Sequence, residues 1–222
     1  LLGPTQASFW TFRKICDLSQ YLYGNNKICI EEMEFVVKTV KVQEQFFQHM
    51  MIALLGGVVL ALPYILYEIY RFVKPALKAR EKRYSGVAIF FGSLMFFLGI
   101  AFGYFILTPI SINFLGNYTL STVIQKEFTV SSVVSIVSML TVGAGLIFEL
   151  PLVIYVLAKV GLVTADNLRS YRKVALVVIL AVSAIITPPD IASQIILSIP
   201  ILLLYEVGII IAKRVNPQPK DE

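Results

Sequence analysis

The chain has 222 residues, 57% of them hydrophobic and 15% charged, with a formal net charge of +5. Globular domains carry about 25% charged residues, and here charge is missing from whole blocks, so the composition argues against a soluble globular protein and for an all-α polytopic membrane protein. The basic residues cluster at the ends of apolar runs, where they set topology, and this argues against nucleic acid as a partner.

The chain begins with Leu1-Leu2-Gly3-Pro4. This reads as the tail of an earlier apolar segment, so the chain is expected to lack a first span; no secretory signal pattern is recognisable there. Residues 1–45 are mixed, with five basic and five acidic residues. Phe9, Phe12, Ile15 and Cys16 recur at helical spacing, which predicts a short amphipathic helix over about 5–22. Gly24-Asn25-Asn26 is a turn signal, and the Val-rich stretch 35–42 is compatible with strand or helix.

Five apolar runs follow. The first covers about 46–70 and contains Pro63; the second covers about 84–107 and is expected to end at Pro109. The second holds Gly99-x-x-x-Gly103, a spacing that lets helices approach closely. The third covers about 133–158 and carries one charge, Glu149. The last two, 174–187 and 191–205, are short and flank Thr187-Pro188-Pro189-Asp190. Each covers only about 21–23 Å of helix against roughly 30 Å of hydrocarbon, so this hairpin is expected to thin the bilayer or to stop short of its far surface. The whole reads as one membrane domain: an outer segment 1–45, helices and loops over 46–212, and a tail 213–222.

Orientation follows from the loops. Alternate segments 71–83, 159–173 and 213–222 hold thirteen basic residues, whereas the intervening loops hold Lys126. The basic side is expected to be cytoplasmic, leaving residues 1–45 outside. Cys16 and Cys29 both fall in that outer segment. They either pair, in an oxidising compartment, or stand as two small apolar residues.

Few residues offer chemistry. No P-loop pattern is present, no nucleophile–base pair is legible, and the single histidine, His49, sits at the start of a span. No enzyme, cofactor or metal site is expected. Glu149 is the strongest single residue, because an ionisable group inside a span is costly and marks a functional position or a satisfied structural one. Thr187 and Gln194 are polar groups within the short hairpin that either bond another helix or cap their own backbone. Glu68 and Glu206 lie near span ends and can snorkel. Glu81 is the single acid of loop 71–83, among six basic residues. It either makes a local surface ion pair or receives a guanidinium, and for the second role it needs another carboxylate beside it.

Taken together, Phe72-Val73-Lys74-Pro75-Ala76-Leu77 with Glu81-Lys82-Arg83, then Phe148-Glu149-Leu150-Pro151, then Thr187-Pro188-Pro189-Asp190 with Gln194, and Ile199-Pro200 before Tyr205-Glu206, resemble TatC, the integral-membrane receptor of the twin-arginine protein export system. The resemblance covers about residues 44–214 and is weak over 1–43. It implies a concave bundle of six spans, of which five are visible, and a cytoplasmic leader that supplies the second carboxylate. It further implies that Phe72, Glu81 and Arg83 receive twin-arginine signal peptides. Glu149 would line a membrane pocket, and Thr187 and Gln194 would meet single-span partners of the TatA and TatB type. Such a protein works in the plasma (inner) membrane within an oligomeric complex, moving folded cargo with the proton-motive force and no bound nucleotide. A proton- or ion-coupled solute transporter using Glu149 is the alternative from another class, and the absence of an internal repeat weighs against it.

Overall fold

The structure is a computed structural model that describes residues 3–5, 9–11, 13–14, 16, 36–73, 85–118, 127–187 and 191–215. Apolar runs become helices because, in hydrocarbon, a helix satisfies its own backbone hydrogen bonds. Helix α1 runs Glu44–Val73 and α2 runs Ser85–Phe102, continuing through a π-helical turn, Gly103–Leu107, into α3, Thr108–Asn117. Helix α4 is Val130–Phe148 and α5 is Leu150–Val160. The short α6, Ala165–Ser170, leads to α7, Arg172–Ile186, and α8, Ile191–Val215. Among the described residues, four stretches are long and apolar enough to cross a membrane: Glu44–Phe72, Ile89–Asn117, Val130–Val160 and Ile191–Val215.

Helix α2 packs on α4, α5 on α8, and α7 on α8, while α1 lies against α2 and α4. The Gly99-x-x-x-Gly103 pair is the seam between α2 and α4. A Cβ on Gly99 would fall 2.7 Å from the Ala144 carbonyl oxygen, and one on Gly103 would fall 2.7 Å from that of Leu140. Close backbone approach is therefore what the two glycines provide. The core gathers Leu107, Ala144, Ile154, Ala158, Leu197 and Ile201 around α8. Helix α1 faces outward with Phe46, Leu54, Leu60, Tyr64 and Ile69 exposed, which suits a lipid-facing helix.

Pro109 does not end the second span, contrary to the sequence expectation. A proline inside a helix leaves the carbonyl four residues back without its donor, here that of Phe105. The Thr11 hydroxyl donates to that carbonyl. One residue earlier, the Thr108 N–H bonds to the Gly103 carbonyl, the five-residue spacing of the π turn. The helix thus passes its proline by widening one turn and borrowing a donor from the N-terminal segment. Phe9 packs edge-on against Tyr104 and stacks with Phe105, holding that segment in place.

The undecided stretch 35–42 contains a strand, β1 (Val36–Lys38), paired in parallel with β2 (Glu127–Thr129). Lys38 and Glu127 form an ion pair across it. Glu44, at the first turn of α1, accepts from the backbone N–H groups of Val40 at 3.0 Å, Lys41 at 3.3 Å and Ser131 at 2.9 Å. One carboxylate thereby fixes the start of α1, the loop before it and the start of α4.

The last hairpin is short in one arm. Helix α7 has 15 residues, but α8 continues past Glu206 to 25 residues. Arg172 Nη2 donates to Glu206 Oε2 at 2.7 Å, so the charge that was expected to close the apolar run is paired at the base of the hairpin instead.

Candidate functional site

Glu149 stands at a break. Pro151 has no N–H for the carbonyl four residues back, and the α4 pattern ends at Phe148 and resumes at Leu150. Glu149 itself keeps helical angles, φ −74° and ψ −7°, and its carbonyl accepts from the Val153 N–H at 3.0 Å. The joint turns its carboxyl toward α2. Only 7% of the residue is exposed, and neither carboxyl oxygen has a hydrogen-bond partner among the described residues. Its setting is apolar: Oε2 lies 3.2 Å from where a Cβ on Gly92 would stand, with Leu152 Cδ2 and Leu66 Cδ1 around the same point at 2.7 and 3.4 Å.

The carboxyl is thus enclosed rather than open to solvent. An ionised carboxylate left unpaired in such a place costs several kcal/mol. The group is thus short of a hydrogen-bonding companion in this conformation. Leu66 and Leu152 are half-buried, and their ends are flexible side-chain methyls rather than backbone.

Phe72 is the next-to-last residue of α1 and is 85% exposed. Leu66 precedes it by six residues, which sets the Glu149 site about 9 Å deeper along α1 on helix rise. Glu68 lies between them and pairs loosely with Arg71 at 3.7 Å. Glu81 and Arg83 lie outside the described residues.

Thr187 and Gln194 sit on opposite arms of the last hairpin. Thr187 is buried, and its hydroxyl donates to the Ser183 carbonyl at 2.8 Å. Gln194 Nε2 donates to the Leu180 carbonyl at 3.1 Å, tying α8 to α7. Both donors therefore serve the hairpin itself. Beside Gln194, Ile191, Ile195 and Ile199 form an exposed apolar stripe at one-turn spacing. Cys16 is disulfide-bonded, and Cys29 lies outside the described residues. No three His, Cys, Asp or Glu side chains come together among the described residues to hold a metal.

Sequence reasoning missed Gly92, which nothing distinguishes from other glycines in apolar runs. It also passed over Glu44, although an acid just ahead of a predicted helix is a readable signal.

Comparison with known proteins places these features in a family. The family model for TatC, Sec-independent protein translocase protein, matches residues 5–200. The TatC protein of Helicobacter pylori strain J99 is 39% identical over 213 residues, 96% of this chain and 80% of that protein. That of Aquifex aeolicus is 37% identical over 192 residues, 86% of this chain and 78% of that protein. A crystal structure of the twin-arginine translocase receptor TatC in the detergent DDM superposes with a TM-score of 0.71 at 33% identity, covering 96% of this chain and 95% of that one. The chain is a multi-pass membrane protein that belongs to the TatC family of Sec-independent protein translocase components.

Proposed function

We propose that the chain receives twin-arginine signal peptides at its cytoplasmic rim and then gathers TatA- and TatB-type partners for export of folded proteins. Phe72 carries the reading. A large aromatic ring 85% exposed, in sequence beside a run with six cations, suits a peptide that is both apolar and charged. Glu81 takes a guanidinium of the arginine pair, and Arg83 shapes the charge beside it. The loop's cations oppose a guanidinium, so a second carboxylate must share the contact.

The apolar part of the signal peptide then lies along α1 toward Glu149, where the carboxyl acquires the hydrogen-bonding group it lacks. Single-span partners pack on the Ile191, Ile195 and Ile199 stripe, with Gln194 at its edge. Loops 71–83 and 159–173 and tail 213–222 face the cytoplasm across the inner membrane. Residues 1–45 face outward, and Cys29 is the partner of Cys16 there, since the sequence holds two cysteines.

The test is the affinity of a twin-arginine signal peptide for the full protein in membranes. Replacing Glu81 with Ala should weaken binding about tenfold or more, the worth of a charge-assisted hydrogen bond, while insertion stays normal. Unchanged affinity removes Glu81 from the role.

A further inference from the structure

Gly92 lies within α2, where α1, α2 and the α4–α5 joint converge. The point its Cβ would occupy is 2.7 Å from Leu152 Cδ2, 3.2 Å from Glu149 Oε2 and 3.4 Å from Leu66 Cδ1. These atoms already fill the space a side chain needs. Leu152 is half-buried and follows Glu149 by three residues, so it shares roughly one face of the chain with the carboxyl.

We propose that Gly92 and Leu152 are positioning residues for Glu149. Gly92 gives the carboxyl room to lie against the α2 backbone, and Leu152 covers it until a polar group of an incoming helix displaces that cover. This rests on the reading above, in which Glu149 meets such a group. An alanine at position 92 pushes into Leu152 and the carboxyl together, so the cover shifts and Glu149 is left open. Removing the Leu152 side chain opens it without overpacking. Gly86 is the internal contrast: it lies on the same helix, and a Cβ there meets nothing within 4 Å.

The experiment labels the complete protein in native membranes with dicyclohexylcarbodiimide, an apolar carboxyl reagent, and reads modification of Glu149 by mass spectrometry. Glu206 serves as the reference within the same molecule. Wild type should label slowly at Glu149. Gly92→Ala should speed it about fivefold or more, the shift that the low end of overpacking strain supports; Leu152→Ala, which strips the cover directly, should speed it as well, and Gly86→Ala should not. Equal labelling in Gly92→Ala and Gly86→Ala overturns the inference. Should Gly92→Ala fail to accumulate, Leu152→Ala decides alone, and no change there overturns it too. Faster labelling upholds the positioning, and full export by Glu149→Gln would leave the positioning standing while removing Glu149 from the export reading.

Discussion

The seam between α2 and α4 permits a signed prediction. Gly103 meets backbone: its Cβ would lie 2.7 Å from the Leu140 carbonyl oxygen and 2.8 Å from Thr141 Cα. Neither atom can swing aside as a side chain does. The helices must part by about 0.5 Å or more, and a gap of that size forfeits a quarter to a half of each contact along the seam. Overpacking costs about 1–3 kcal/mol, and a backbone clash belongs at the upper end. Alanine's better helix propensity returns about 1 kcal/mol. Gly103→Ala should therefore destabilise by about 1–2 kcal/mol net. Gly57, on lipid-facing α1, has nothing within 4 Å of a built Cβ. The same substitution there should be neutral or stabilise by up to about 1 kcal/mol. Unfolding by SDS titration in mild detergent reads both variants. Equal midpoints for the two would refute close backbone approach as the function of the glycine pair.

Two further outcomes follow from buried carboxyls with opposite surroundings. Glu44→Ala should loosen the start of α1 and the loop before it, since three backbone N–H groups lose their acceptor. Faster proteolysis near residues 39–43 would report it, and an unchanged cleavage rate would deny the carboxylate its clasping role. Glu149→Gln keeps the shape and removes no hydrogen bond seen among the described residues. It should fold at least as stably as wild type, because no unpaired carboxylate is then enclosed, and yet export a twin-arginine cargo poorly, whereas full export would show that the acid is dispensable.

The four long spans were legible because apolar runs of this length have one stable answer in a bilayer. Their ends were less so, for reasons that lie in contacts distant along the chain. Pro109 looks like a stop until Thr11, ninety-four residues before Phe105, supplies that residue's carbonyl with a donor. Glu206 looks like the limit of an apolar run until Arg172 neutralises it across the hairpin. Strand β1 is undecidable from its own three residues, because its partner Glu127–Thr129 is remote. Glu149 announced itself as a charge among apolar residues, but Pro151 two positions on, which turns it toward Gly92, reads in sequence as an ordinary kink. The positions of Thr187 and Gln194 were visible, whereas their hydrogen bonds to Ser183 and Leu180 depend on how the two arms meet.

Reception of an arginine pair beside Phe72 is tested most directly by a photoreactive amino acid at position 72 of the full protein. It should form an adduct with a twin-arginine signal peptide and lose that adduct when the pair becomes two lysines, because a lysine cannot reproduce the planar, bidentate contact. Adducts of equal yield with both peptides would contradict the account.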